Sequence, residues 1–148
     1  LLPSDSARRT HWPILVVDRS PDAPQCLCGL RGCLERFAGG QALTEQVRSL
    51  GLNGLDELSR LEETRPDVAA LLDSTSLRVT AAIENLHREF AVEIVVLGGG
   101  VVAALPALFR LVQQHCKPMG VIVREAELGD DAGLIGAAFA TQIASLSG

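Results

Sequence analysis

The second half of the chain alternates between helical and strand patterns, and this order restricts the fold more than any other feature. The apolar run Ile94–Leu97 leads directly into three glycines. A helical pattern precedes it from Pro66 to about Phe90, and another follows from about Leu105 to Cys116. A second strand pattern, GVIVREAEL, comes next, and GDDAGLIGAAFATQIASL then predicts a final helix. Strands separated by helices pair in parallel through right-handed crossovers, so we predict an α/β fold.

The long predicted helix carries one apolar stripe. Shorter helices and a strand are predicted for the first half of the chain. The stripe recurs at steps of three, four and seven residues: Val68, Leu72, Val79, Ile83, Leu86 and Phe90. Upstream, the run PILVVD over Pro13–Asp18 predicts a strand. A helix interrupted at Gly39-Gly40 and ending at Gly51 follows, and a short helix is predicted between Asn53 and Pro66.

Composition and charge exclude several classes of protein. The 148 residues are enough for one domain with its own core. The net charge is -5 and the basic residues are scattered, which argues against a nucleic-acid-binding surface. The most apolar stretch, AVEIVVLGGGVVAAL, is interrupted by glycines and does not reach membrane-spanning length. The start, LLPSDSARRT, lacks the layout of a signal peptide, so we expect a cytoplasmic protein.

Three of the four cysteines, Cys26, Cys28 and Cys33, fall within the short segment CLCGLRGCLE. They can form disulfides, pack as buried thiols or bind a metal. A reducing cytosol disfavours disulfides, and buried thiols usually occur singly rather than in a glycine-rich turn. Gly29 and Gly32 permit the positive φ angles of a tight loop. We favour zinc, which takes four thiolate or imidazole ligands in structural sites.

The fourth zinc ligand is the least determined part of this prediction. Cys116 lies far downstream, and the imidazole candidates are His11, His87 and His115. In the predicted helices, His87 and His115 are more simply explained as solvated or capping residues. We therefore predict His11 as the fourth ligand.

Two glycine-containing motifs each leave two interpretations open. In VLGGGVV, Gly98, Gly99 and Gly100 either let the backbone approach a ligand or only connect a strand to a helix. In LGDDAGLIGAA, Asp130 and Asp131 are either acids and bases or a helix cap, and the cap is the more common role.

Taken together, CLCGLRGCLE followed by AGG and AL, then IVVLGGGV and LGDDAGLIGAA, resemble the ROK family of repressors, open reading frames and sugar kinases. The resemblance covers the chain from about Ile14 onward. It implies the C-terminal lobe of an actin-like, hexokinase-type ATPase fold, in which two α/β lobes hold a sugar in the cleft between them. A zinc-binding loop beside that cleft helps to form the sugar site.

The resemblance also assigns roles to individual residues. Cys26, Cys28 and Cys33 match zinc ligands, Glu35 matches a contact to sugar hydroxyls, and Gly98, Gly99 and Gly100 match glycines near the adenosine of the nucleotide. The fourth zinc ligand of the family is the His of a Glu-x-Gly-His motif whose Glu and His also bind sugar. This chain reads ARRTH there, so only His11 remains as a zinc and sugar candidate.

The family's phosphate loop and catalytic Asp segment have no match in the chain. We therefore expect residues 1–148 to form a single C-terminal lobe, with an atypical segment at 1–13 and a zinc loop at 18–35, that is not a kinase on its own. The favoured function is the sugar-sensing and dimerisation half of a ROK-type transcriptional regulator. The alternatives are a C-terminal fragment of an ATP-dependent sugar kinase and a zinc-stabilised scaffold without a ligand. We expect a homo-oligomer or association with a missing N-terminal lobe, and neither a membrane nor a direct nucleic-acid partner.

Overall fold

The computed structural model describes residues 15–127 and Gly129, and from Pro66 to Glu125 the helices and strands follow the predicted order, with one additional short helix before Leu105. The final helix, predicted from GDDAGLIGAAFATQIASL, lies outside the described residues. The elements are α1 (Glu35–Ala38), α2 (Gly40–Ser49), α3 (Leu55–Leu61), α4 (Pro66–Phe90), β1 (Ile94–Leu97), α5 (Gly100–Ala104), α6 (Pro106–Cys116) and β2 (Ile122–Glu125). A 3-10 turn, Lys117–Met119, connects α6 to β2. The strands pair in parallel, with Ile94 opposite Ile122 and Leu97 opposite Glu125, which confirms the α/β prediction.

The ends of α4 follow from its sequence. Pro66 occupies the first turn, where its missing N–H is not needed by the helix. At the other end Ala91 has a φ of 51°, and its N–H donates to the carbonyl of His87 at 2.7 Å. The His87 Nδ1 lies 2.8 Å from the carbonyl oxygen of Val92, so this histidine binds the backbone just beyond the helix. A left-handed residue that closes the last turn is a common way to end a helix.

The hydrophobic core lies between α4, α6 and the inner face of the two-stranded sheet. Its buried members include Val68, Leu72 and Ile83 from the predicted stripe, together with Leu105, Leu108, Val112, Cys116, Val121 and Val123. Each fully buried aliphatic side chain contributes about 1.5–3 kcal/mol relative to an exposed one. The stripe does not remain buried to its end, because Phe90 is 54% exposed. The last turn of α4 extends beyond the part of the helix that the core covers.

The strand predicted over residues 13–18 is wrong for the part that the structure describes. Of residues 15–18, only Val16 makes a strand-type bridge, which is antiparallel to Cys33. The N–H groups of Val17 and Asp18 both donate to the carbonyl of Gly32, at 2.8 and 3.1 Å. The segment therefore lies along the cysteine loop, whose backbone supplies the hydrogen bonds that a neighbouring strand would otherwise provide.

The outer face of the sheet is exposed and largely apolar, with Arg124 as its charged residue opposite Val96. Side chains alternate between the two faces of a strand, so Val95 and Leu97 pack on the core while their neighbours point away from it. Ile94, Val96 and Ile122 are 50%, 61% and 51% exposed. Among residues 15–127, no helix is both long and apolar enough to cross a membrane.

Candidate metal loop and ligand cavity

The three clustered cysteines bring their sulfur atoms together. The Sγ atoms of Cys26, Cys28 and Cys33 all lie within 4.8 Å of one another, and those of Cys28 and Cys33 are 3.6 Å apart. All three thiols are free, which excludes the disulfide interpretation for this structure. A tetrahedral zinc site with Zn–S bonds of about 2.3 Å places neighbouring sulfurs about 3.8 Å apart. The donor set and its spacing therefore fit three corners of such a site.

The backbone of the loop holds the thiols in this arrangement. The Cys26 N–H donates to the carbonyl of Leu30 at 2.8 Å, and Gly29 donates back to Cys26 at 3.0 Å. Gly32 has a φ of 69°, and a Cβ atom there would lie only 1.7 Å from the carbonyl oxygen of Asp18. Glycine is thus required at position 32 both by its φ angle and by the close approach of the preceding segment.

The thiols differ in how readily they ionise. Burial raises the pKa of Cys33 to about 12, with hydrogen bonds to Cys28 and Cys26 acting in the same direction. A hydrogen bond with the backbone of Leu30 is the main cause that lowers the pKa of Cys28. A bound cation favours thiolates, so metal binding would release the proton that burial keeps on Cys33.

The remaining metal-ligand candidates among the described residues lie away from this cluster. His115 Nδ1 is 3.2 Å from the hydroxyl of Ser76, and His87 binds the backbone at the end of α4. Cys116 is fully buried in the core, where burial raises the pKa of its thiol. Three predicted residues, His11, Asp130 and Asp131, lie outside the described residues.

Glu35 and the glycine turn after β1 line one cavity. Its volume is about 360 Å³, and its wall includes Gly98, Gly99 and Gly100 as well as the junction between α1 and α2. The sequence predicted Glu35 for a sugar and the glycines for a nucleotide, and the fold places both beside the same space. Glu35 provides the only polar side chain among the described residues that line this cavity. Such a cavity, apolar with one charged group, has the composition typical of small-ligand sites.

Close packing accounts for one glycine in this turn, and a positive φ angle accounts for another. A Cβ atom on Gly98 would lie 2.7 Å from the Cβ of Ala126, next to β2. Gly99 has a φ of 97° and precedes the first residue of α5. The turn therefore presents backbone groups to the cavity with no side chain covering them. This geometry is compatible with a turn that approaches a ligand and also with a simple connection from strand to helix.

Sequence reasoning did not identify the apolar side chains of this cavity. Val79 of α4 and Phe109 and Val112 of α6 lie along it. Their helical spacing predicts core residues, and no local pattern separates a residue facing the core from one facing a cavity at its edge. Arg78 was also missed, because its partners are distant in sequence and only the fold brings them together.

The family model described as "ROK family" matches residues 10–143. The chain belongs to the ROK family. It is 31% identical over 132 residues to an N-acetylmannosamine kinase of Vibrio vulnificus, an alignment that covers 86% of this chain and 45% of that kinase. The chain thus spans less than half the length of this curated ROK relative.

Solved structures of ROK proteins share the fold. The crystal structure of a ROK hexokinase from Thermus thermophilus superposes with a TM-score of 0.69 at 30% identity, over 91% of this chain and 48% of that one. A ROK family transcriptional regulator, a homologue of the MLC protein of E. coli, matches with a TM-score of 0.57 at 20% identity, over 72% of this chain and 32% of that one. At that identity the regulator shows the fold alone.

These similarities bear on the predicted function. Membership of the ROK family is confirmed, and the family includes both kinases and regulators. Our preference for the regulator is not supported, because the curated relative aligned here is a sugar kinase.

Proposed function

We propose that the chain forms the sugar-binding C-terminal lobe of a ROK sugar kinase with an actin-like ATPase fold, and that a structural zinc ion on Cys26, Cys28 and Cys33 supports the sugar site. The observation that carries this proposal is the position of Glu35. It follows the third thiol by two residues and provides the one polar side chain among the described residues around the cavity. His11 is proposed as the fourth zinc ligand and as a second sugar contact.

Glu35 would bind the sugar through its hydroxyl groups. A carboxylate accepts hydrogen bonds at both oxygens, so one side chain can accept from two neighbouring hydroxyls of a pyranose ring. The apolar wall formed by α4 and α6 suits the C–H face of the same ring. The ligand class is therefore a hexose or an N-acetylhexosamine.

The zinc ion, when bound, would supply structural cross-linking of the loop rather than chemistry at the sugar. The chain's own residues position Glu35: Cys33 is buried, and its carbonyl accepts a hydrogen bond from the N–H of Arg36 at 2.9 Å. Fixing Cys33 therefore fixes the first turn of α1, from which the Glu35 side chain extends.

Phosphoryl transfer is proposed only for the full-length protein. Gly98, Gly99 and Gly100 are proposed to face the adenosine of ATP, since they line the same cavity as Glu35. The transfer also needs a base for the sugar hydroxyl and groups that hold the phosphates. The present chain spans less than half of its kinase relative, and we propose that the other part supplies them.

Calorimetric titration tests the sugar site directly. Zinc-loaded chain would be titrated with glucose, N-acetylglucosamine and N-acetylmannosamine, and we expect binding of at least one of them. A hydrogen bond to a charged group contributes about 1.5–3 kcal/mol, so Glu35→Gln should weaken binding by roughly 10-fold to 100-fold. Glu45→Gln on the exposed side of α2 is the matched control and should bind as the wild type does.

Two results would count against the proposal. Absence of heat with all three sugars would remove the sugar site, and unchanged binding by Glu35→Gln would remove the role of that residue. If the full-length protein bound sugar without phosphorylating it in the presence of ATP, the regulator would become the better interpretation.

A further inference from the structure

Arg78 connects two segments that contribute to the site, and no motif assigns it a role. Its Nη1 atom lies 2.9 Å from Asp18 Oδ2 and donates to the carbonyl of Val17 at 3.5 Å. The centre of the guanidinium also lies 4.3 Å from the centroid of the Phe37 ring. One side chain of α4 thus contacts both Val17 and Asp18, which precede the cysteines, and α1, the helix that carries Glu35.

The Asp18 end of this connection is fixed to the metal loop, the segment 26–33 that carries the three thiols. The N–H of Asp18 donates to the carbonyl of Gly32, the residue that precedes Cys33. The carbonyl of Asp18 lies so close to Gly32 that no Cβ atom fits between them. A displacement of the loop at Gly32 is therefore transmitted to Asp18 and to the ion pair that Asp18 forms.

The Phe37 end is fixed to the Glu35 helix. Helix α1 has only four residues, and so short a helix is not stable by itself. Its orientation must come from contacts outside it, and the Phe37 ring stacked against Arg78 is one of them. The side chains of Arg78 and Asp18 are 33% and 19% exposed, so the pair is partly protected from solvent screening.

We propose that Arg78 is a positioning residue that couples the metal loop to Glu35. Zinc binding orders the loop, Asp18 holds the guanidinium, and the guanidinium holds Phe37 and thereby the direction of α1. Arginine suits this role because its planar group can pair with a carboxylate at its edge while its face stacks on an aromatic ring. The inference rests on the proposed function for its consequence at the sugar, but not for the coupling itself.

Fluorine NMR can measure the coupling without a sugar. The full chain, labelled with 4-fluorophenylalanine, contains four Phe residues, and Phe37→Leu identifies the Phe37 resonance. We expect removal of zinc with a chelator to shift this resonance in the wild type and to shift it clearly less in Arg78→Met, where only the path through Cys33 and the N–H of Arg36 remains. Arg78→Lys keeps the charge but loses the planar stack, so its response should be intermediate.

Arg60→Met is the matched control, since Arg60 pairs with Asp56 on the exposed surface of α3 and contacts neither segment. It should retain the full response to zinc. In titrations, Arg78→Met should bind the sugar about tenfold more weakly than the wild type while retaining zinc, a loss that corresponds to about 1.4 kcal/mol. Melting temperatures identify any variant that fails to fold, and Arg78→Lys then provides the comparison.

Each outcome separates the two proposals. If Phe37 responds to zinc equally in the wild type and in Arg78→Met, the coupling passes along the chain from Cys33 and the role of Arg78 is overturned. If no sugar binds but the zinc response depends on Arg78, the proposed function fails and the coupling stands. If the Phe37 resonance of the wild type does not shift when zinc is removed, the coupling is also overturned.

Discussion

The Sγ atoms of Cys28 and Cys33 lie 3.6 Å apart without a bond between them. This separation is close to the edge of a zinc–thiolate tetrahedron and far longer than the bond of about 2.05 Å in a disulfide. The pair joins the start of the tight loop to its end. An ion bound between these sulfurs would therefore stabilise the conformation of the loop.

Loss of one thiol should remove the metal. We expect about one zinc ion per chain in metal analysis, and Cys28→Ser should lower this content severely and reduce the melting temperature. Cys116→Ser should keep its zinc, because Cys116 lies in the core away from the cluster. A melting temperature that does not change when zinc is chelated from the wild type would contradict the structural role of the ion.

A methyl group at position 32 should be poorly tolerated. Gly32 has a φ of 69° and lies against Asp18, whereas Gly51 has a φ of 73° and nothing within 4 Å of its Cβ position. The left-handed backbone costs about 1–2 kcal/mol for either alanine variant. Gly32→Ala should therefore lose more unfolding free energy than Gly51→Ala in urea titrations, and equal losses would show that the close approach carries no cost.

Asp18 should contribute to the dependence of stability on pH. Hydrogen bonds with the backbone and side chain of Ser20 are the main causes that lower the pKa of Asp18, and Arg78 adds a smaller effect. A carboxylate with a lower pKa in the folded state stabilises the protein above its unfolded pKa of about 3.9 and loses that contribution as the pH falls through the folded pKa.

The measurement compares the wild type with Asp18→Asn. Their difference in unfolding free energy should be largest near neutral pH and should shrink as the solution is acidified below about pH 4. A difference that stays constant over this range would mean that Asp18 acts through packing rather than through its charge.

The burial of α4 predicts a clear contrast between two leucines on the same helix. Leu72 is 1% exposed in the core, and Leu77 is 50% exposed. Leu72→Ala should lower the unfolding free energy by about 2–5 kcal/mol, because it removes buried methyl groups and leaves a cavity. Leu77→Ala should change it by less than about 0.5 kcal/mol, as is usual for exposed positions. Similar losses at both positions would show that the two faces of the helix are wrongly assigned.

Most of the fold could be predicted because local signals agree with the tertiary structure. Pro66 marks the start of α4, and the predicted strand Ile94–Leu97 matches β1 residue for residue. Alternation of helices and strands also predicted the parallel pairing. These features depend on neighbours in sequence, where propensity and spacing carry the information.

Features that depend on distant residues could not be predicted. The apolar run at residues 15–18 has the composition of a strand, but its hydrogen bonds go to Gly32. Phe90 continues the helical stripe, but the core ends before it. The cysteine cluster was predictable because its members are close in sequence. The contact of Arg78 with Asp18 spans sixty positions and leaves no local trace.

The apolar outer face of the sheet has a practical consequence for handling the protein. Ile94, Val96 and Ile122 present branched side chains to water on adjacent parallel strands. Salts such as ammonium sulfate strengthen the association of such surfaces. The wild type should therefore precipitate at a low ammonium sulfate concentration for a protein with this net charge. Val96→Lys should raise the sulfate concentration at which precipitation begins.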